Sequence, residues 1–99
     1  MTTPDAKISD VLHAIADPAR RKILRALKEK NASSVAREAG LCASDIEARI
    51  PLSQPTISHH MAILRKSGLV EATRMGQWTL YRRQETALKN FLKTLKREL

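Results

Sequence analysis

One run of side chains, residues 53–66, carries most of the chemistry that this sequence offers. It reads SQPTISHHMAILRK and opens with small hydroxyl and amide side chains before two adjacent histidines. No acidic residue occurs between residues 52 and 70. A freely solvated helix more often mixes Glu with Lys at spacings of three or four residues. The run therefore favours contact with a polyanion over simple exposure to water.

On a helical wheel these residues separate into two faces. At 100° per residue, Ile57, Met61 and Leu64 share one side, and His60 lies beside them. A helix that enters the DNA major groove needs short hydrogen-bonding side chains on its other face. Glutamine in particular can form a pair of hydrogen bonds with the edge of adenine. That face holds Pro55, Thr56, Ser58, His59, Ala62 and Lys66. The alternative is that Ser-Gln-Pro-Thr only caps the helix and that the histidines are ordinary surface residues.

Positive charge is concentrated around the same run. The chain has 99 residues, with 18 basic against 10 acidic and a net charge of +8. Residues 53–84 hold five basic residues and one acidic, whereas residues 32–52 hold two and three. Such a balance is typical of proteins with a polyanionic partner. It favours DNA contact over capping alone.

The length and the apolar content predict one small domain. We expect it to span residues 1–99, with residues 1–5 flexible. The single cysteine excludes an intrachain disulfide, which is typical of cytoplasmic proteins. The longest apolar run, Met61–Leu64, is too short for a signal peptide or a membrane span. The sequence therefore predicts a cytoplasmic protein with no membrane partner.

The first part of the chain reads as two amphipathic helices. Apolar residues recur at helical spacing over Ile8–Ile15. Asp17-Pro18 is a favoured start for a second helix, whose basic residues, Arg20 among them, are expected to surround a buried face. Residues Asn31–Gly40 fit either a short helix that ends at Gly40 or an irregular link.

The second part predicts a helix-turn-helix. Ser44 is expected to cap a short helix that Pro51 ends, and Ser53 to cap the next helix, which ends before Gly68. Two helices so close together form a helix-turn-helix unit.

A hairpin and a last helix are predicted to follow. Leu69–Arg74 and Trp78–Tyr81 flank a Gly-containing turn, and apolar spacing over Leu88–Leu99 predicts the helix. Trp78 is expected to contribute to a core that is otherwise mainly aliphatic. The predicted fold is mainly α with a small β-hairpin, in the order α-α-α-α-β-β-α.

Two stretches of the chain resemble one known family. ADPARRKILRAL (residues 16–27) and LSQPTISHHMAILRKSGLVEATRMGQWTLYR (residues 52–82) look like the winged helix-turn-helix of ArsR/SmtB-type bacterial repressors. The resemblance covers most of the chain. It implies a homodimeric transcriptional regulator that binds a two-fold operator in double-stranded DNA.

The resemblance also implies which side chains touch DNA. The helix over residues 53–67 would enter the major groove, and the wing over residues 74–78 would lie near the backbone or the minor groove. Carried over by position, the DNA-binding residues are Ser53, Gln54, Thr56, Ser58, His59, Arg65, Lys66, Arg74 and Gln77.

A dimer is also predicted from the residues themselves, because the two terminal helices carry more apolar surface than one small core requires. The alternative is that both apolar stripes pack within one chain. The predicted interface residues are Ile8, Val11, Leu12, Ile15, Leu88, Phe91, Leu92 and Leu95.

The metal sites of the family do not match this sequence. One of them has the pattern Leu-Cys-x-Cys-Asp, and this chain has Leu41-Cys42-Ala43-Ser44-Asp45, with a single thiol. Another uses His on the last helix, but no histidine follows His60. We therefore expect no metal and no cofactor, with a mixed site of Cys42, His13 and Asp45 as an alternative. Cys42 is either a redox switch or a small buried residue.

Three classes of function compete. A sequence-specific dimeric repressor is the main hypothesis, and a repressor that responds to oxidation of Cys42 is a variant of it. The second class is a winged-helix module that binds a partner protein. An enzyme is not expected, because the chain has no Gly-rich phosphate loop, no facing pair of carboxylates and no nucleophile elbow.

Overall fold

A computed structural model describes residues 4–28 and 40–99, with the side chains of the first helix described from Ile8 onward. The helix considered for Asn31–Gly40 lies almost wholly outside these residues. The element order α-α-α-α-β-β-α is confirmed for the described chain, and residues 4 and 5, expected to be flexible, are helical. The elements are α1 (Pro4–Ala16), α2 (Pro18–Ala26), α3 (Ala43–Arg49), α4 (Gln54–Lys66), β1 (Val70–Met75), β2 (Trp78–Arg83) and α5 (Glu85–Glu98).

Capping side chains set the helix boundaries, as the sequence predicted for α2 and α4. Asp17 accepts a hydrogen bond from the backbone N–H of Ala19 at 2.7 Å, and Pro18 is the first residue of α2. Ser53 precedes α4 and accepts from the N–H of Thr56. These bonds satisfy N–H groups that have no partner within the helix.

The predicted start of α3 is wrong. Ser44 was expected to precede the helix, but α3 begins at Ala43 and Cys42 is the capping residue. The carboxylate of Asp45 accepts from the Cys42 N–H at 3.2 Å. This hydrogen bond joins the third residue of α3 to the capping residue and so fixes where the helix begins. The sequence pattern did not indicate it, because Cys42 is not one of the usual capping residues Ser, Thr, Asp and Asn.

The main core lies beneath α4. Ile57, Met61 and Leu64 point inward and pack with Ile23 of α2 and Ile46 of α3. All five side chains are almost completely buried. The inner face of α4 is therefore fixed against both α2 and α3, which leaves the opposite face outside.

The hairpin forms an antiparallel pair in which Met75 faces Trp78 across a two-residue turn. A third segment joins it, because Leu41 exchanges two backbone hydrogen bonds with Tyr81, at 2.8 and 2.9 Å. This bridge links the start of α3 to the wing. It was not predicted, since nothing in the local sequence marks a single bridging residue.

The terminal helices pack against each other within one chain. Val11 of α1 and Phe91 of α5 are only 2% and 7% exposed, in a second cluster with Leu69. Val11 and Phe91 were predicted at the dimer interface, and both side chains belong to the core of the single chain. Four other predicted interface residues are partly buried against this cluster: Ile8, Ile15, Leu88 and Leu95.

Gly40 is the point where the bridge to the wing is most sensitive to substitution. Its φ is +117°, and an added Cβ would lie 2.2 Å from the carbonyl oxygen of Tyr81. We expect Gly40→Ala to lower the free energy of unfolding by more than Gly68→Ala, measured by urea denaturation. Gly68 is the control, because its φ is +84° but a Cβ there meets no atom within 4 Å. Gly68→Ala should cost about 1–2 kcal/mol from the backbone conformation alone. Equal losses in the two variants would contradict the close approach to Tyr81.

Candidate nucleic-acid interface

The outer face of α4 presents the side chains that the sequence analysis assigned to DNA. Every one of the nine predicted residues is exposed, both those on α4 and those on the wing. The described part of this face, residues 53–67, contains no acidic side chain. The structure thus gathers small polar groups on one surface of a helix that is rigidly packed on its other side.

Capping accounts for part of this surface. The hydroxyls of Ser53 and Thr56 are hydrogen-bonded to each other at 2.9 Å. The side chains of Gln54, Ser58 and His59 make no hydrogen bond to the described residues of the chain. The alternative interpretation, that this run only caps a helix, therefore explains Ser53 and Thr56 but gives no role to the other three.

Three cations border the exposed face. Arg65 and Lys66 lie in the last turn of α4, Arg74 lies on β1, and none of them pairs with a described acidic residue. The other two basic residues of the segment are engaged: Arg82 pairs with Glu71, with Nε to Oε1 at 2.9 Å, and Arg83 with Glu85. Within residues 53–84, the positive charge available to an external partner therefore lies on α4 and the wing.

Two large apolar side chains stand at the tip of the wing. Met75 and Trp78, which face each other across the hairpin, are both exposed. The expectation that Trp78 contributes to the core is wrong. Trp78 lies on the same face of β2 as buried Leu80, two residues away, but it stands next to the turn at the end of the hairpin and is 43% exposed.

A buried arginine that the sequence analysis placed on the surface supports α4 from below. Arg20 is 6% exposed, and its guanidinium donates to the carbonyl oxygens of Ala14 (2.7 Å) and His13 (2.9 Å) at the end of α1. It also lies 3.2 Å from Nδ1 of His60 on α4. The sequence does not indicate this role, because Arg20 belongs to a run of basic residues whose side chains are mostly exposed.

Asp17 completes this cluster. Its carboxylate lies 3.6 Å from the Arg20 guanidinium. The hydrogen bond from the Ala19 N–H is the main cause that lowers the pKa of Asp17, and the backbone N–H and the charge of Arg20 act in the same direction. Partial loss of water opposes them. Asp17 is therefore held as a carboxylate at the junction of α1 and α2.

Cys42 does not provide a soft-metal site. Its buried Sγ lies 3.1 Å from the Ser44 hydroxyl and 3.3 Å from the Asp45 carboxylate. A thiol that donates to a carboxylate, with no second thiol beside it, does not fit the two or more thiolates of the family's site. Within residues 4–28 and 40–99, no three His, Cys, Asp or Glu side chains are grouped for a metal ion.

No helix in the described part of the chain is long and apolar enough to cross a membrane.

Comparison with known proteins identifies the family. A model for the bacterial regulatory proteins of the arsR family matches residues 17–72. The chain is 35% identical over 94 residues to YbzH, an uncharacterized HTH-type transcriptional regulator of Bacillus subtilis (strain 168), spanning 86% of this chain and 94% of that protein. The transcriptional repressor SdpR of the same organism is 35% identical over 83 residues, spanning 84% and 82%.

A solved structure agrees with the sequence matches. The ArsR-like transcriptional regulator from Rhodococcus sp. RHA1 superimposes with a TM-score of 0.73 at 29% identity, over 94% of this chain and 79% of that one. The shared fold includes the helix-turn-helix and the wing. The chain therefore belongs to the arsR family of bacterial regulatory proteins and is a DNA-binding transcriptional regulator rather than an enzyme.

Proposed function

We propose that this regulator is a repressor that binds an inverted-repeat operator as a homodimer, with α4 in the major groove. The observation that carries the proposal is the exposed face of α4, which is polar, free of carboxylates and bordered by unpaired cations. Base edges in the major groove offer hydrogen-bond donors and acceptors, while the phosphates demand positive charge. The face of α4 supplies both.

The start of α4 is the part best suited to reading bases. In helix-turn-helix proteins the first residues of the recognition helix reach the base edges. Gln54 is the first residue of α4 and is exposed, and Ser58 and His59 follow one turn later on the outer side. Gln54 has both a donor and an acceptor for the paired groups of adenine. Ser53 and Thr56, already bonded to each other, would contact DNA through their remaining lone pairs.

The cations and the wing serve mainly to position the protein. Arg65 and Lys66 leave the C-terminal end of α4, and Arg74 and Gln77 lie near the tip of the hairpin. Contacts from such residues to phosphate fix the register of a protein on the duplex but carry little sequence information. We assign these four side chains to the backbone or to the minor groove beside the site of α4.

The dimer rests on the apolar residues that the single chain leaves uncovered. Leu12 on α1 is 42% exposed and Leu92 on α5 is 55% exposed, each next to a residue of the terminal-helix core. A second copy that covers these two positions would form an interface related by a two-fold axis. It would also present two α4 helices to half-sites about 34–36 Å apart, as an inverted repeat requires.

A selection of DNA fragments tests the proposal directly. Fragments of a bacterial genome are incubated with the purified protein, recovered and sequenced, and the selection is repeated with zinc, with arsenite and with a mild oxidant. We expect an inverted repeat to be enriched, and no loss of enrichment with the additives, because the single thiol of Cys42 is buried. Release by the oxidant would instead support a redox role for Cys42. Without any enriched sequence, the winged-helix module that binds a protein partner becomes the better hypothesis.

Gln54→Ala should weaken binding to the enriched fragment by about 1–3 kcal/mol and relax the base preference at one position in each half-site. The side chain is exposed, so the fold should not change. The matched variant is Lys66→Ala, which should weaken binding to all sequences alike and reduce the salt dependence by about one phosphate contact. Fluorescence anisotropy on the enriched fragment and on a scrambled duplex measures both. Equal losses on the two duplexes for Gln54→Ala would contradict base reading.

Leu92→Asp should convert the dimer to a monomer, because the proposed interface would bury a carboxylate without a partner. Leu92 is chosen over Leu95, which packs on the core of the single chain. Asn90→Asp is the control, since it adds the same charge at an exposed position of the same helix. Sedimentation velocity gives the mass, and circular dichroism checks the fold. A Leu92→Asp protein that is still dimeric would refute this interface.

A further inference from the structure

The contact between Arg20 and His60 joins the supporting helices to α4, and it depends on the charge of the histidine. Both side chains are buried, with His60 only 9% exposed. The guanidinium of Arg20 has N–H donors but no acceptor. Since Arg20 Nη1 lies 3.2 Å from His60 Nδ1, that ring nitrogen must accept, and the ring proton must be on Nε2.

We propose that Arg20 is a positioning residue for DNA binding, that it holds α4 through neutral His60, and that protonation of His60 weakens this hold and lowers the affinity for DNA. The inference rests on the proposed placement of α4 in the major groove. Histidine exists in a neutral and a charged form, and only the neutral form has a ring nitrogen that can accept a hydrogen bond from Arg20.

Protonation would reverse the sign of the contact. A charged His60 carries a proton on Nδ1, so a donor would face a donor at 3.2 Å and two cations would lie side by side in the core. Arg20 cannot turn away easily, because its other nitrogens are bonded to the carbonyls of Ala14 and His13. Because Arg20 is held in place, a charged His60 ring would have to move away from it and would displace α4.

The charged groups around His60 do not remove this conflict. From α2 and its cap the ring faces Arg20 and, behind it, the Asp17 carboxylate, which is already bonded to the Ala19 N–H. On α4 itself the neighbour is the ring of His59, at 6.0 Å between centroids. Of the acidic residues on the other elements packed on α4, Asp45 of α3 bonds to Cys42, and Glu71 of β1 bonds to Arg82 and Gln84.

Displacement of this ring matters because of its place on α4. His60 directly follows His59 and is two residues beyond Ser58, both on the proposed DNA face. A binding constellation must be held within about 0.5 Å of its productive geometry by the side chains beneath it. The Arg20–His60 bond is such a support, on the buried side of the helix whose exposed side reads bases.

The experiment compares three proteins over pH 5.5–7.5: the natural chain, His60→Asn and His13→Asn. Asparagine places an amide oxygen where Nδ1 stands, so it accepts from Arg20 but takes up no proton. His13 is the matched control, since it is a histidine whose side chain is exposed on α1 and is not assigned to DNA. The probes are a fluorescein-labelled duplex of the most enriched fragment and a scrambled duplex, both at constant ionic strength. Nitrogen-15 NMR of the free protein follows the tautomer and the charge of each of the 3 histidines.

We expect the natural chain and His13→Asn to lose affinity for the enriched fragment as the pH falls, by up to about tenfold per pH unit once His60 is charged. His60→Asn should bind within about threefold of the natural chain at pH 7.5 and show no such loss. The sign separates this effect from simple electrostatics, because added positive charge on the surface strengthens binding to DNA at low pH. NMR should show the proton of neutral His60 on Nε2.

Three results would overturn the inference: a ring proton on Nδ1 at neutral pH, a pH profile of His60→Asn that matches the natural chain, or charging of His60 with no change in affinity. The loss of the Asp17 carboxylate lies below the range tested. The pKa of Asp17 is lowered in the folded chain, so its contribution to stability is complete above the unfolded value near pH 4 and is lost below it. If the selection enriches no DNA, the proposed function fails, and the NMR result still decides the tautomer.

Discussion

The structure depends on one buried cation. The guanidinium of Arg20 is charged at every relevant pH, so burial is tolerated only if its N–H groups are bonded and a counter-charge is near. The carbonyls of His13 and Ala14, the carboxylate of Asp17 and the ring of His60 meet that demand. These groups belong to the end of α1, the cap of α2 and the middle of α4. The requirement of one charge therefore fixes how three helices join.

This arrangement divides α4 between two tasks. Ile57, Met61 and Leu64 bind it to the core through apolar burial, which has little directional preference, while His60 adds a directional bond. Apart from the hydrogen bond between Ser53 and Thr56, the side chains on the outer face of α4 are therefore not needed to hold the helix in place. A surface that must match the spacing of base edges requires such support, since small shifts of the helix displace all of its contacts together.

Local sequence patterns predicted the fold well, but they did not indicate the hydrogen bonds between residues that are distant in the sequence. Periodicity and capping residues, such as Asp17-Pro18 and Ser53, gave the element order and most boundaries. The start of α3 failed because Asp45 caps it from inside the helix. The role of Arg20 and the bridge from Leu41 to Tyr81 depend on residues 40 positions apart in each case. No pattern in a short window can indicate either, so the exposed face of α4 was predictable from the sequence but its support was not.

The terminal helices show why an apolar stripe alone does not separate a core from an interface. On each terminal helix two consecutive apolar residues, about 100° apart around the helix, mark the edges of the stripe, and one of them is buried while the other is exposed. Val11 and Leu12 hold these edges on α1, and Phe91 and Leu92 hold them on α5. Each stripe is thus wide enough to be buried at one edge within the chain and at the other edge against a second copy. In the proposed dimer a second copy would extend the core at Leu12 and Leu92 without displacing Val11 or Phe91, so association would add burial to a chain that is already folded.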